Sequence, residues 1–338
     1  MKFLKDSMRW LPGAAVSLGV IAAILYFVDF RKMAAAISHA NYWLLAAATV
    51  LSFLWMAVRA IVWRTLLRDR APYKEVFFTL GEGYLLNNFL PFRLGEFGRP
   101  FLLSRKTDLQ FIEILPTIVI ERAVDLAYSA AILMAALPFV VGAQDSAEKI
   151  GIIVGIVVAV GLVTLYVLAR NRQWALDTFH KLSLRWPALQ RFGGSFLEAF
   201  LDGLAVLTDG WLFARFLFWM TLNWGISILQ FYIIVCAYFP QAQVTWGMFA
   251  LGAAAFGGAI PSLPGAVGTF EGAIAAALTL FTGDQSTSLA AAVTAHLYNY
   301  LNSIVIGGIG LMREGQTLSG IYKQLVNFRA KEKVKESE

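Results

Sequence analysis

The chain has 338 residues, of which 58% are hydrophobic and 15% are charged. Its mean hydropathy of +0.64 excludes an ordinary soluble domain and predicts a polytopic membrane protein. The formal net charge of +6 does not indicate a nucleic-acid partner, because the charges fall in the loops between apolar segments. A single cysteine, Cys236, excludes an intrachain disulfide framework and a cysteine-based metal site.

Six apolar segments are long enough to cross a bilayer as helices, since a span needs about 20 residues for about 30 Å of hydrocarbon. They cover approximately 10–28, 42–63, 111–138, 151–169, 211–239 and 288–312. The first follows a basic stretch, as the apolar part of a signal peptide does. It is long and has no clear cleavage site, so we interpret it as a retained span.

The basic residues are distributed unequally between the loops. If the N-terminus lies inside, only Arg31, Lys32 and Lys149 among the loop cations face outward. This asymmetry predicts a multi-pass protein of the cell membrane with both termini in the cytoplasm.

Two further stretches, 75–104 and 246–283, are too interrupted to cross the membrane and too apolar to be ordinary loops. Their centres, "PFRLGEFG" and "PSLPGAVG", both fit the pattern P-x-x-x-G-x-x-G. Lipid cannot satisfy the backbone groups freed at such breaks, so we expect both tips to line a polar cavity near the membrane midplane. The tip residues are Pro91, Gly95 and Gly98 in the first hairpin and Pro261, Pro264, Gly265 and Gly268 in the second.

Two spans precede each hairpin and one span follows it, so the chain contains the same unit twice. Residues 1–141 form the first repeat and 151–312 the second, which includes a cytoplasmic loop at 170–210, and 313–338 form a cytoplasmic basic tail. The first hairpin enters from the cytoplasmic side and the second from the outer side, as in an inverted-topology repeat. The predicted fold class is an all-α polytopic membrane protein with six full spans and two re-entrant broken-helix hairpins.

A short helix is expected to begin after each tip. Pro100 suits the first turn of one such helix, and Thr269 suits the N-cap of the other. The N-terminus of a helix carries partial positive charge and free N–H donors, so both helices would point at an anion. A lipid phosphate fits that description.

Arg93, Glu96 and Arg99 are spaced three apart, so Glu96 could bridge both arginines on a helical surface. They would form either a salt-bridge clamp within the hairpin or a positively charged site for a phosphate. Glu82 could close a hairpin arm or partner one of these arginines. Arg59 lies close to the end of its span and could equally extend to the membrane surface.

Glu121, Arg122 and Asp125 lie inside the third span, with Glu121 about 15 Å from its start. They could form a structural ion pair, or the excess carboxylate could bind a proton or a cationic headgroup. In the second half, Glu271 lies where a helix dipole alone would stabilise a carboxylate. His296, Asn299 and Asn302 could hydrogen-bond neighbouring helices or, for His296, relay a proton.

The motifs "NNFLPFRLGEFGRPFLL", "IERAVDLA" and "PSLPGAVGTFEGA", in this order and spacing, resemble the transmembrane flippase domain of bacterial lysylphosphatidylglycerol synthases and the stand-alone flippase-like membrane proteins related to it. The resemblance covers the chain from about Asn41 to Met312 and implies movement of a lipid headgroup between leaflets. By position it implies a role for Arg93, Gly95, Glu96, Arg99, Glu121, Arg122, Asp125, Pro264, Gly265, Gly268 and Glu271. One departure is Ala266, where a second glycine is expected.

The bifunctional members of that family carry a cytoplasmic aminoacyl-transferase domain, whereas this chain stops soon after its last span. We therefore expect a transporter and not an enzyme, with no cofactor and no metal.

The predicted function is a flippase-like translocator that moves an anionic or zwitterionic phospholipid, or a lipid-linked headgroup, through a midplane polar cavity. A secondary transporter of a soluble anion, coupled to protons through Glu121 or Asp125, is the alternative. An intramembrane lipid-modifying enzyme is less favoured, because the sequence shows neither a metal-ligand cluster nor a nucleophile elbow. Membrane phospholipids are the expected partners, and a homo-oligomer and a separate lipid-modifying enzyme stay open.

Overall fold

A computed structural model of the chain shows helices throughout the part that it describes, and no strand occurs among these residues. The described residues are 17–22, 28–90, 93–140, 166–183 and 208–325, with isolated residues and short runs between 24 and 26, 156 and 164, and 194 and 206. Most of the predicted spans 10–28 and 151–169 lies outside this part of the chain, as does Pro91.

The helices are α1 (Phe30–His39), α2 (Tyr42–Leu66), α3 (Tyr73–Phe89), α4 (Gly95–Ser104), α5 (Phe111–Ala136), α6 (Arg172–Ser183), α7 (Gly210–Tyr238), α8 (Val244–Ala259), α9 (Thr269–Thr282), α10 (Gln285–Asn302) and α11 (Gly308–Arg313). A π-helical segment, Ser303–Gly307, joins α10 to α11. Short 3₁₀ turns cover Leu137–Phe139 and Pro264–Ala266, and residues 318–325 are also helical.

Four stretches of the described chain are long and apolar enough to cross a membrane: Tyr42–Leu66, Gly210–Tyr238, Pro264–Thr282 and Gln285–Arg313. Three of them coincide with the predicted spans 42–63, 211–239 and 288–312. The fourth lies within the predicted hairpin 246–283 and consists of a 3₁₀ turn followed by the 14-residue helix α9. Helices α3 and α4 cover the arms of the other predicted hairpin, 75–104.

Helix α5 coincides with the predicted span 111–138 but differs in composition from the four stretches above. Its 26 residues would extend about 39 Å at 1.5 Å per residue. Four charged residues fall between Glu113 and Asp125. The length of α5 therefore suits a span, whereas its charges require partners within the protein.

The starts of several helices are fixed by polar side chains that accept hydrogen bonds from free backbone N–H groups. The Asn41 side chain accepts from the N–H groups of Trp43 and Leu44, at 3.1 and 3.3 Å. Asp209 and Asp284 cap α7 and α10 in the same way. Since helix ends leave these donors unsatisfied, such caps determine locally where a helix begins.

Ion pairs gather several helix ends at one end of the bundle, which we call the basic end. They join the end of α2, both ends of the α3–α4 hairpin, and the ends of α5, α7 and α11 that lie there. The pairs are Asp69–Arg215, Arg70–Glu113, Glu75–Arg313 and Lys106–Glu314. Both arms of the first hairpin therefore emerge at the basic end.

Backbone contacts define the opposite end of the bundle. The N–H of Asn41 donates to the carbonyl of Ala237 at 2.9 Å, so the start of α2 lies beside the end of α7. The N–H of Asp29 donates to Ser286 Oγ at 3.2 Å, which places the chain before α1 beside the start of α10. Short turns connect α7 to α8 and α9 to α10. Both ends of the α8–α9 hairpin therefore lie at this opposite end.

Helix α3 crosses the π-helical segment with backbone-to-backbone contact. A Cβ added to Gly81 would lie 2.9 Å from the backbone N of Gly307, and one added to Gly307 would lie 2.5 Å from the carbonyl O of Gly81. Small residues at a crossing let two helices approach this closely in a membrane. The pair therefore fixes the first hairpin against the last long helix.

Part of the predicted tail, 313–338, is a packed helix. Ile321 and Leu325 are 0% and 7% exposed and lie in one apolar cluster with Leu86, Phe101 and Leu311. Residues 318–325 thus cover the first hairpin, because their apolar side chains are buried against it. The remainder, 326–338, lies outside the described residues.

Candidate functional site

The two hairpin tips meet inside the bundle. Gly265, at the second tip, has a φ of 71°. A Cβ at Gly265 would clash with the hydroxyl of Tyr300 and would lie 3.2 Å from the carbonyl O of Asn88, at the end of α3. Only glycine suits both this backbone conformation and this space. Its neighbour Ala266 also has a positive φ, 60°, so the position where the family resemblance leads us to expect glycine has glycine-like backbone geometry.

Helix α4 begins earlier than predicted. Asn87 Oδ1 accepts a hydrogen bond from the N–H of Gly95 at 2.8 Å, which satisfies a free donor at the helix start. Gly95 is therefore the first residue of α4, and Pro100 lies inside the helix. The prediction that Pro100 lies in the first turn is wrong, because this side-chain contact starts the helix before it.

Helix α9 begins one residue earlier than predicted. Gly268 has a φ of 89° and occupies the N-cap, and its N–H donates to Glu271 Oε2 at 2.9 Å. Thr269 is consequently the first helical residue and not the N-cap. Glycine at 268 permits the turn that a threonine would strain. The predicted position of Glu271 in the first turn is confirmed.

A cavity of about 580 Å³ lies between the tips, within the size range of small-molecule sites. Residues 258–266 of the second hairpin contribute a mostly apolar part of its lining. Its polar lining comes mainly from α3, α5, α10 and the first tip: Tyr84, Asn87, Arg93, Glu96, Arg122 and Asn299.

Beside this cavity, a buried carboxylate lies among three guanidinium groups. Glu121 is 0% exposed and accepts hydrogen bonds from Arg59 at 2.9 Å, from Arg122 at 3.1 Å and from both terminal nitrogens of Arg99 at 2.8 and 3.1 Å. Arg59 also donates to Asp125 at 2.8 Å. Arg122 lies 3.5 Å from Asp125. This network joins α2, α4 and α5 through charge-assisted hydrogen bonds.

Arg59 is the site residue that sequence reasoning failed to place. Its side chain is 3% exposed and turns into the bundle, so extension to the membrane surface is wrong. Two carboxylates on α5 provide the partners that stabilise a guanidinium at this depth. The signal available in the sequence was the excess of carboxylates in "ERAVD", which requires a cation from another helix.

Glu96 does not bridge Arg93 and Arg99, which corrects the predicted clamp. It lies 3.5 Å from Arg122 Nε and accepts a 3.4 Å hydrogen bond from Asn87. Arg93 precedes the first residue of α4, so the spacing rule for a helix surface does not apply to it. Arg99 faces the core instead, where its guanidinium binds Glu121 and lies 4.1 Å from the ring centroid of Trp63.

Arg93 differs from the other arginines of the site, because its guanidinium has no hydrogen bond or ion pair with any described residue. The residue is exposed and lines the cavity. Its φ of 49° places a non-glycine residue in a left-handed conformation, which costs free energy and is concentrated at functional sites. The first tip thus presents to the cavity a cation that has no hydrogen-bonded partner among the described residues and only a longer-range attraction to Glu96.

In the second half of the chain, His296 contacts a carboxylate and two aromatic rings. His296 Nδ1 lies 2.7 Å from Glu271 Oε1. The rings of Phe270 and Tyr300 lie 4.6 and 4.9 Å from the imidazole centroid. Glu271 therefore ties the start of α9 to α10, in addition to its local role at the helix start.

Asn299 and Asn302, which the sequence groups with His296, have different environments. Asn302 is 4% exposed, and its side chain donates to the carbonyl of Ser52 at 3.0 Å. Asn299 is exposed, lines the cavity and makes no side-chain hydrogen bond with a described residue. Asn302 therefore joins two helices, whereas Asn299 is available to a ligand.

Glu82 partners a lysine and not one of the hairpin arginines. It is 0% exposed, and Lys106 Nζ donates to its Oε2 at 2.6 Å and to Thr79 Oγ1 at 2.9 Å. Lys106 also pairs with Glu314. This cluster lies at the base of the first hairpin and not among the residues that line the cavity. Among the described residues, no three histidine, cysteine, aspartate or glutamate side chains are grouped as metal ligands would be.

Comparison with protein families finds one described as "Lysylphosphatidylglycerol synthase TM region", whose model matches residues 10–307. Comparison with curated proteins and with solved structures finds no significant match.

Proposed function

Because the chain belongs to the family of the lysylphosphatidylglycerol synthase TM region, we propose that it is a flippase-like translocator of membrane lipids. Its cargo is an anionic or zwitterionic phospholipid or a lipid-linked headgroup. The headgroup passes through the cavity between the hairpin tips while the acyl chains stay in the bilayer. The protein acts as a transporter and not as an enzyme. Neither a homo-oligomer nor a separate lipid-modifying enzyme is required by this mechanism.

In this proposal the α3–α4 and α8–α9 hairpins are re-entrant, and six helices cross the membrane. Helices α8 and α9 have 16 and 14 residues, or about 24 and 21 Å, which is shorter than the hydrocarbon core of about 30 Å. The positions of the hairpin ends support this arrangement, since one hairpin emerges at the basic end and the other at the opposite end. The basic end then faces the cytoplasm of a cell-membrane protein, together with both termini.

The single observation that carries the proposal is the unpaired guanidinium of Arg93 at the tip of the first hairpin. A cation near the membrane midplane is costly unless a partner neutralises it. Arg93 has no hydrogen bond or ion pair with a described residue, only a longer-range attraction to Glu96, and it lines a cavity large enough for a headgroup. A guanidinium binds a phosphate through two parallel hydrogen bonds. A phosphate-bearing ligand would supply the missing partner.

Apolar surface around the tips favours a lipid over a soluble anion. Phe89, the last residue of α3, is 48% exposed, and Ile260, the residue after α8, is 45% exposed. Ile260 lines the cavity and Phe89 lies at the end of α3 beside it, so exposed apolar side chains adjoin the polar lining. Such side chains suit a ligand with acyl chains, whereas a soluble anion gains nothing from them. The cavity and the neighbouring surface together match an amphipathic molecule.

The test is leaflet exchange of a headgroup-labelled phospholipid in proteoliposomes. We expect Arg93→Gln to slow exchange about ten- to a hundredfold, because a hydrogen bond to a charged group contributes about 1.5–3 kcal/mol. Arg215→Gln is the matched control, since Arg215 pairs with Asp69 at the basic end, and it should leave the rate unchanged.

Two outcomes would contradict the proposal. Exchange by the unmodified protein that does not exceed that of empty vesicles, across several anionic and zwitterionic lipids, removes the translocator. Uptake of radiolabelled inorganic phosphate into the same vesicles, lost in Arg93→Gln and without lipid exchange, would identify a carrier of a soluble anion instead.

A further inference from the structure

The charged side chains at and behind the cavity balance one another. The network beside the cavity has equal numbers of arginines and carboxylates: Arg59, Arg99, Arg122, Glu96, Glu121 and Asp125. Two described charges remain, Arg93 at the first tip and Glu271 behind His296. With a neutral histidine the site therefore has no net charge. An anion bound by Arg93 would leave Glu271 uncompensated in a site largely sheltered from water, which is unfavourable.

His296 is placed to supply the missing positive charge by binding a proton. Its side chain is 5% exposed and lines the cavity. Its Nδ1 lies 2.7 Å from Glu271 Oε1. An ionised carboxylate can only accept, so Nδ1 of the neutral ring carries the hydrogen and Nε2 has the free lone pair. Nε2 makes no hydrogen bond with a described residue, and it is therefore the nitrogen that can take a proton.

The groups that face His296 identify it as the titrating member of the site. Glu271 faces it from α9, and the phenol ring of Tyr300 lies 4.9 Å away on its own helix. The other described titratable or charged residues of the cavity lining are Arg93, Glu96, Arg122 and Tyr84. The remaining phenols beside α10 are bonded elsewhere, Tyr238 to Thr294 and Tyr298 to the carbonyl of Leu45. Of these side-chain types, only an imidazole ordinarily changes its charge near neutral pH.

We propose that His296 Nε2 binds a proton when Arg93 binds the phosphate of the cargo, so that one proton moves with each anionic headgroup. The inference rests on the proposed function and adds an energy source to it. The proton comes from water on one side, forms the imidazolium beside Glu271, and returns to water on the other side when the headgroup leaves. The loaded site has no net charge, which is the least costly state inside a membrane. The two binding events favour each other reciprocally.

The experiment follows leaflet exchange of a labelled glycerol-phosphate lipid, which carries one negative charge, in proteoliposomes with a set pH on each side. A pH difference of about one unit should shift the final distribution about tenfold towards the leaflet on the more alkaline side, because one proton moves with each lipid. With equal pH on both sides, exchange above that of empty vesicles should slow about tenfold per pH unit once histidine is mostly neutral, above roughly pH 8.

Two variants and a matched control locate the proton. His296→Gln removes the titrating group, so exchange should be slow, independent of pH and even between the leaflets under a gradient. Glu271→Gln removes the charge that requires the proton, so its exchange should also be independent of pH; it serves if His296→Gln does not fold. His39→Gln makes the same substitution at an exposed position of α1 and should keep the pH dependence of the unmodified protein.

The outcomes separate this inference from the proposed function. Exchange by the unmodified protein that ignores both the pH and the gradient would overturn the proton coupling and leave translocation standing. A pH dependence that persists in His296→Gln and in Glu271→Gln would overturn the assignment of the proton to His296. A gradient-driven distribution that these variants lose and His39→Gln keeps would support it. Exchange no faster than in empty vesicles at any pH would remove the proposed function and the inference together.

Discussion

Replacing Glu121 with glutamine tests whether the buried charge network stabilises the fold. The substitution keeps the size of the side chain and removes the charge that Arg59, Arg99 and Arg122 share. The side chains of Glu121, Arg59 and Arg99 are 0%, 3% and 1% exposed, so water cannot replace the lost partner. Removing one member of a buried ion pair typically costs about 3–5 kcal/mol. We expect Glu121→Gln to lower the free energy of unfolding by this amount.

The measurement is equilibrium unfolding of the purified protein in mixed micelles with increasing SDS. Glu113→Gln is a control on the same helix, because Glu113 and Arg70 form an exposed pair with side chains 35% and 54% exposed. Exposed pairs contribute about 0–1 kcal/mol, so this control should remain close to the unmodified protein. Arg99→Met, alone and combined with Glu121→Gln, completes a double-mutant cycle. A loss in Glu121→Gln no larger than in Glu113→Gln, with no coupling to Arg99, would refute the reasoning.

The same assay checks three smaller effects. Ala266→Gly should raise the free energy of unfolding by about 0.5–1 kcal/mol. Glycine removes the strain of the left-handed backbone at this position, and this gain exceeds the larger chain entropy that glycine loses on folding. A clear loss of stability would show that Ala266 is not strained. Gly81→Ala should destabilise by about 1–3 kcal/mol through overpacking, whereas Gly308→Ala, which meets nothing within 4 Å, should not; equal effects would exclude the close crossing. Burial tends to raise the pKa of Asp284, but hydrogen bonds from Thr287 outweigh it and hold the pKa below its usual value. The stability that this cap contributes should therefore be present above pH 4 and be lost as the pH falls further, a dependence that Asp284→Asn should flatten.

The positions of both hairpins could be predicted from the sequence because their signals are local. Proline and glycine interrupt an apolar run wherever they occur, and such breaks need polar surroundings in a membrane. Helices α3, α4, α8 and α9 accordingly coincide with the predicted arms. The exact starts of α4 and α9 could not be predicted, since they depend on contacts from Asn87 and on the backbone conformation of Gly268.

The partners of the charged residues were harder to predict than the residues themselves. The sequence marks Glu121 and Asp125 as buried carboxylates but does not show that the neighbouring helix α2 brings Arg59 to them. It favoured Glu96 as the partner of Arg99, since the two are close along the chain. Two long-range bonds to Glu121 in a buried site outweigh one local pair, because electrostatic interactions strengthen as water is excluded.

The ion pairs at the base of the first hairpin have a mechanical consequence. Glu75, in the first turn of one arm, binds Arg313, and Lys106, just after the other arm, binds Glu314. Both arms of the hairpin are therefore bound at their bases to the end of α11. If that end of α11 tilted, the two arms would move together as one rigid body and would not separate. The π-helical segment Ser303–Gly307, where the helical hydrogen-bond register changes, is the natural pivot for such a tilt.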